Sequence, residues 1–405
     1  MNKQNAKQQT VISGNARVVR NVNRAVILNL IRERQPISRT QIAALSGLNK
    51  STVTNIVAEL LDERLIYEEV YRDKSIGRNP INLRLRLDEH YVGAINLDYP
   101  QASLTIADLD GSVTEVVTLK TEPEDPEAFL KTCLDKLTAL RKKIGGKTLR
   151  GIGVSVAGIV DHESGVVKFA PHLGWENVEV KAILQRQLGT DCFVAVNNDA
   201  KASALAEQWF GKHDIELSNF VFLSVGEGIG AGIIVDKKLI SGQFNASGEF
   251  GHMTLYEGGE LCTCGNYGCW EAYASDYATL KRYHIRKRKS PHSEQSYTID
   301  ELIDMAQQGD EEAREALRKT GYYLGLGISN IIKALDPQAI ILGGKIIRVF
   351  DLLYPEISQT VSRRAFFGKD GGVHILQTSL NIAPRLLGAA TLAIREIFHD
   401  YQIIL

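Results

Sequence analysis

Cys262, Cys264 and Cys269 crowd into the run CTCGNYGC, on a stretch where Gly265 and Gly268 let the backbone turn tightly. Soft thiolates at that spacing, joined by one imidazole, make a closed tetrahedral metal site. His252, in the nearby GEFGHM, is the best fourth donor. The expected ion is structural zinc (Zn2+), which would shape a loop and leave no open position for chemistry. A redox pair or a chance cluster is the plain alternative. Cys133 and Cys192 fall in helical and strand patterns and read as core thiols. Five Cys in 405 residues form no disulfide framework, and the crowded three suit a reducing, cytoplasmic setting.

A second set of residues suits a polyanion. The net charge of −1 conceals +8 over residues 1–86 and −9 over the remainder. Val26, Ile27, Leu30 and Ile31 repeat at helical spacing. Ser38 and Gln41 form a capping box that opens a second helix through Ile42 and Leu45, and Gly47 supplies a sharp turn. In NKSTVTNIVAELL, Val53, Ile56, Val57, Leu60 and Leu61 make one apolar face. That face turns Ser51, Thr52 and Asn55 outward, with Lys50 and Thr54 at its flanks. Short polar side chains suit base edges and Lys50 suits a phosphate.

Two strands follow, near 65–71 and through Ile81, Leu83, Leu85 and Leu87, separated by the loop RDKSIGRNP. The loop reads as a wing, and Arg78, between Gly77 and Pro80, suits a narrow minor groove. The expected domain is a winged helix-turn-helix over 1–87. Its candidate DNA-binding residues are Arg39, Thr40, Lys50, Ser51, Thr52, Thr54, Asn55 and Arg78. A three-helix protein-interaction module with solvated basic loops is the alternative.

Over all 405 residues, 44% are apolar and 23% charged, as in folded globular proteins, and no apolar run is long enough to span a membrane. YVGAINLD, ASLTIADLDG and SVTEVVTLK predict a three-stranded meander, and residues 126–144 predict a helix. RGIGVSVAGIVD predicts a buried strand entering a Gly loop. A similar order recurs in FVFLSVGEGIGAGIIVDKKLI and AIILGG. Two lobes around a cleft are expected: 88–198, completed by a C-terminal helix at 382–405, and 199–381, which carries the zinc loop.

GVSVAGIVD, VNNDAKASALAEQWFG, GEGIGAGIIV, GEFGHM, CTCGNYGCWEAYAS and IILGG occur in the order found in the ROK family of repressors and sugar kinases. The chain resembles that family over nearly its whole length. The N-terminal helix-turn-helix makes it similar to the repressor branch, of the xylose and N-acetylglucosamine type. The resemblance implies an α/β, two-lobed, actin-like and sugar-kinase-like body. It also implies a sugar pocket built from Asn198, Asp199, Glu249, His252 and Glu271, with Gly158 and His172 at the rim. In the family's kinases the residue matching Asp199 is the catalytic base, and the His matching His252 is the zinc ligand. Carboxylates and amides of this kind pair with sugar hydroxyls. Trp270 reads as loop packing rather than a sugar platform.

Phosphoryl transfer separates the two branches, because a kinase must cradle phosphates on glycine turns and hold Mg2+. Where ROK kinases carry an Asp-x-Gly-Gly-Thr turn, residues 96–101 read Asn-Leu-Asp-Tyr-Pro-Gln. Pro100 has no N–H to donate and Tyr99 adds bulk. Glu227, in Gly226-Glu227-Gly228, puts an anion where phosphates would lie. The expectation is no catalytic residue and no enzyme. Instead the chain reads as a repressor released from a palindromic operator by a sugar effector, acting as a homodimer or homotetramer. A sugar kinase with an appended DNA-binding domain is the alternative.

Overall fold

In a computed structural model, which describes residues 16–70, 81–145, 147–189, 192–286, 297–364 and 372–398, the chain forms two units. One is Met1–Tyr91 with Ile394–Leu405, the other Val92–Ala393. The first begins with α1 (Ala16–Arg34), buried along Ala25, Ile27, Leu28 and Ile31. That line is rotated slightly from the expected stripe, and Val26 and Leu30 are only half-buried. After β1 (Ile37–Ser38), the capping box forms as its residues require. Gln41 N donates to Ser38 Oγ at 3.3 Å and Ser38 N donates to Gln41 Oε1 at 2.9 Å, opening α2 (Arg39–Ser46). Gly47 ends α2 at φ 70°, a left-handed position that favours glycine. Leu45 departs from expectation at 60% exposure, since α2 is short and only Ile42 reaches the core. Asn49 caps α3 (Lys50–Asp62), which buries Val53, Ile56, Val57 and Leu60. β2 (Ile66–Val70) and β3 (Ile81–Leu85) then pair antiparallel, with β1 on the far side of β3. This is a winged helix-turn-helix.

The second unit contains two five-stranded sheets built to one plan. The first holds β4 (His90–Leu97), β5 (Gln101–Asp108) and β6 (Val117–Lys120). After α4 (Pro126–Lys143) come β7 (Thr148–Val156), β8 (Ile159–Asp161), β9 (Val166–Ala170), β10 (Trp175–Val178), α5 (Val180–Leu188), β11 (Phe193–Asn198) and α6 (Asp199–Phe210). The second sheet begins with β12 (Phe220–Val225), β13 (Ile229–Val235) and β14 (Lys238–Leu239). Then follow α7 (Glu271–Ala274), α8 (Asp276–Arg286), α9 (Ile299–Gln307), α10 (Glu311–Leu335), β15 (Ala339–Gly343), α11 (Phe350–Arg364), β16 (His374–Gln377) and α12 (Pro384–Phe398).

The sheet orders are β11-β7-β4-β5-β6 and β14-β13-β12-β15-β16, so each lobe places a three-strand meander beside two further strands, the last pair parallel. β12 is buried at every position, as a strand covered on both faces must be. α6 touches β7 and β11 of one lobe and β12 and β13 of the other. Small residues permit that closeness. A Cβ added to Gly153 of β7 would stand 1.7 Å from the Ala389 carbonyl oxygen of α12, and one on Gly388 would meet the α6 backbone at Ala202. β11 runs parallel to β7 and ends at Asn198; β12 runs parallel to β15 and ends near Ser224. Carboxyl ends of parallel strands are where such sheets gather ligands.

Candidate functional site

The cap fixes the start of α3. Asn49 Oδ1 accepts from Thr52 N at 2.8 Å and from Ser51 Oγ at 2.7 Å, and Thr54 Oγ1 donates to the Lys50 carbonyl at 2.8 Å. With the apolar face buried, Lys50, Ser51, Thr54 and Asn55 are exposed and Thr52 is half-buried. Thr40 is exposed as well. Arg39 instead forms a 2.7 Å ion pair with Glu68 of β2. Arg78, on the expected wing, lies outside the described residues.

The thiol loop closes on itself through bridges between Thr254 and Cys269 and between Leu261 and Tyr267. These bring together one donor atom each from His252, Cys262, Cys264 and Cys269, all within 4.8 Å of one another. Zn–S bonds of about 2.3 Å at tetrahedral angles place sulfurs about 3.8 Å apart, and a Zn–N bond of about 2.0–2.1 Å gives a slightly shorter N···S edge. Cys264 and Cys269 stand 3.7 Å apart through their sulfurs, and His252 Nδ1 is 3.6 Å from Cys262 Sγ. Both edges fit a tetrahedral ion. Burial, reinforced by the two neighbouring thiols, pushes Cys269 up to about 12, so that thiolate needs a cation beside it.

Glu271 ties this loop to the start of β13. Its Oε1 accepts from Thr263 Oγ1 at 3.1 Å, while Oε2 accepts from Ile229 N at 3.0 Å, just past the Gly226-Glu227-Gly228 turn. His252 points its second nitrogen, Nε2, to within 4.0 Å of Glu249 Oε2. Partial burial raises the Glu249 carboxyl above the usual range, His252 and Lys201 pull it back, and the charges of Asp199 and Glu271 push it further. Glu249 thus lies within electrostatic reach of three of the other four expected sugar-pocket groups. The fifth, Asn198, caps α6 by accepting from Lys201 N at 3.0 Å and donates through Nδ2 to the Gly158 carbonyl at 3.0 Å. His172 is exposed on the short turn Pro171–Leu173. Trp270 is fully buried and donates to the Tyr323 carbonyl at 2.8 Å, which makes it packing.

Asp199 is buried, and its Oδ1 accepts from Ala200 N at 2.8 Å. Its Oδ2 stands 3.0 Å from Arg385 Nε, at the head of α12. The same guanidinium reaches Asp98 Oδ2 at 2.8 Å and the Ser224 hydroxyl at 3.2 Å. Despite the desolvation it suffers, Arg385 is held above the usual arginine value, by Asp199 first and then Asp98. Lys201 is buried, with Nζ donating to the carbonyls of Asn245 at 2.7 Å and Ser241 at 3.3 Å. Sequence reasoning picked out neither cation. Lys201 lies inside a quoted motif, two residues after Asp199. Arg385 is in PRLLGAATLAIREIF, where only the apolar period draws notice.

The sequence profile of the ROK family matches residues 92–396. The chain belongs to the ROK family. A MarR-family profile matches residues 21–69, within the helix-turn-helix. The chain is 32% identical to a xylose repressor of Caldicellulosiruptor bescii, across 96% of this chain and 100% of that one. It is 29% identical to the DNA-binding transcriptional dual regulator NagC of Escherichia coli K12, across 87% of each. A crystal structure of a ROK family transcriptional regulator, a homologue of the E. coli MLC protein, superposes with a TM-score of 0.82 at 26% identity, covering 94% of this chain and 97% of that one. A ROK family glucokinase from Streptomyces griseus, in complex with glucose and AMPPNP, gives 0.66 at 27% identity over 75% and 99%.

Two turns of this ROK chain stand where the sequence comparison with kinases expects glycine turns. Asp98 carries a carboxylate into the first, followed by Tyr99 at 48% exposure and Pro100, whose carbonyl accepts from Thr121 N at 3.0 Å. Glu227 is exposed on the second. Among the described residues no helix is long and apolar enough to cross a membrane.

Proposed function

We propose that this ROK protein is a sugar-responsive transcriptional repressor, acting on a palindromic operator as a homodimer or dimer of dimers. One observation carries the reading. The chain joins a recognition helix with an open polar face to a kinase-type body in which one guanidinium, Arg385, ties down both Asp98 and Asp199.

Lys50, Ser51, Thr52, Thr54 and Asn55 meet DNA from α3, with Arg39 and Thr40 at the head of α2, and Arg78 joins them from the segment that the sequence reads as a wing. Asn198, Asp199, Glu249, His252 and Glu271 hold a neutral sugar, and its binding lowers operator affinity. Zinc on His252, Cys262, Cys264 and Cys269 supplies a fixed loop and no chemistry. His252 presents Nε2 from that loop, and Glu271 hands its position on to the start of β13. D-xylose, the sugar in one relative's name, and N-acetylglucosamine, from the repressor type the sequence resembles, are the first effectors to try. The test is a melting-temperature screen of aldoses, amino sugars and their phosphates, since a ligand of the native state stabilises it by mass action. The stabilising sugar should then release selected duplex DNA; a sugar that stabilises the protein without changing DNA affinity would count against the reading.

The kinase reading has one observation on its side, the buried carboxylate of Asp199 in a chain that resembles a glucokinase. Pro100 and Glu227 weigh against it, because the proline has no N–H to donate and the exposed Glu227 carboxylate repels phosphate.

A further inference from the structure

Three elements from both lobes converge on the Arg385 guanidinium. Asp98 follows β4, Asp199 heads α6, and Ser224 lies near the end of β12. Nη1 is 2.8 Å from Asp98 Oδ2, Nε is 3.0 Å from Asp199 Oδ2, and Nε and Nη2 each lie 3.2 Å from Ser224 Oγ. Nη2 rests against Gly226, 3.3 Å from where a Cβ would stand. A fourth oxygen donor faces the same charge. Asp276 is buried with Oδ1 lacking a hydrogen-bond partner, and Lys345 and Arg385 oppose the burial that raises its carboxyl. Carboxylates and a hydroxyl gathered from separate elements are the donor set of a hard divalent cation. Arg385 instead supplies one positive charge on a planar fork, which satisfies two carboxylates at fixed angles.

We propose that Arg385 is the built-in cation of this cleft: its guanidinium takes the place of a divalent ion between Asp98, Asp199 and Ser224, and so positions Asp199 toward a sugar hydroxyl without metal or nucleotide. The second half rests on the sugar-binding reading above; the first does not. Arg385 is a positioning residue, acting on the sugar through Asp199.

The test uses Mn2+ as the probe, followed by electron paramagnetic resonance on the zinc-loaded full chain. Mn2+ prefers oxygen donors and leaves a thiolate-rich zinc site alone. Arg385→Gln should gain one Mn2+ site, tighter than anything in the wild type by about tenfold or more. Arg385→Lys, which keeps the charge, should stay like the wild type, and Arg385→Gln/Asp98→Asn should lose the gained site. The idea is overturned if Arg385→Gln takes up no more Mn2+ than the wild type, or if the double variant keeps the ion. Should Arg385→Gln fail to fold alone, its melting is followed with millimolar Mn2+; recovery supports the proposal and its absence overturns it.

D-xylose, D-glucose and N-acetylglucosamine are added in a parallel arm. A sugar that stabilises the wild type without Mn2+ should stabilise Arg385→Gln only with it. If Arg385→Gln binds that sugar equally well without Mn2+, the positioning role is wrong. If none of the three stabilises the wild type, the sugar reading is what suffers, and the Mn2+ comparison still decides the cation.

Discussion

His252 turns Nδ1 to within 3.6 Å of Cys262 Sγ while Nε2 faces Glu249 Oε2 at 4.0 Å. One ring therefore lies between the thiol loop and the Glu249 carboxylate. With Nδ1 given to a metal ion, the ring proton would sit on Nε2 and face Glu249. Zinc should accordingly be found at near one per chain by elemental analysis. Cys264→Ser should lose the metal and, with it, sugar-induced stabilisation, because Glu271 and His252 lose their shared anchor. Full sugar response in metal-free protein would separate the loop from the cleft.

The recognition helix makes a graded prediction. Asn55→Ala should cost about 1–3 kcal/mol of operator binding and relax sequence preference at one position, whereas Lys50→Ala should weaken all duplexes alike and lower the salt slope by about one. Fluorescence anisotropy across a salt series reads both. Equal loss on selected and random duplexes for Asn55→Ala would remove it from base readout.

Close packing between β7 and α12 sets a third. Gly153→Ala places a methyl 1.7 Å from the Ala389 carbonyl oxygen, which only a backbone shift relieves. Overpacking of this kind costs about 1–3 kcal/mol or more. Chemical denaturation should show that loss; an unchanged midpoint would mean that the helix yields freely.

Asp276 predicts a pH dependence. Burial pushes its carboxyl up to about 7 from an ordinary 3.8, so the folded chain holds a proton that the unfolded chain has released. The stability linked to this group is present below pH about 4 and is lost as pH rises through about 7, by an amount on the order of a few kcal/mol. Asp276→Asn should flatten that decline and melt higher than the wild type at pH about 8. A parallel decline in the variant would assign the effect elsewhere.

Local spacing explains what could be read in advance. Ser38 and Gln41 are three residues apart, Leu83 and Leu85 alternate with Asn82 and Arg84, and the thiols share one loop, so each pattern acts on its own neighbourhood. Position round a helix is less local. The buried line of α1 includes Ala25 and Leu28 because β3, α2 and α3 all press on it, and sequence alone does not say from which angle. Arg385 is the extreme case. It pairs with Asp98 across 287 residues, and nothing in the apolar period of α12 shows which strand ends will meet its head.

We propose that this ROK chain binds a sugar to control DNA and does not phosphorylate it. It is tested most directly on one sample, with the stabilising sugar, ATP and Mg2+, recording anisotropy of a duplex selected from a random pool together with ADP formation. The account predicts that sugar releases the duplex from the wild type, that Asp199→Asn holds it regardless of sugar, and that neither forms ADP in a sugar-dependent way. Sugar-dependent turnover of about 1–100 s⁻¹ in the wild type, lost in Asp199→Asn, would contradict it and make the protein a kinase.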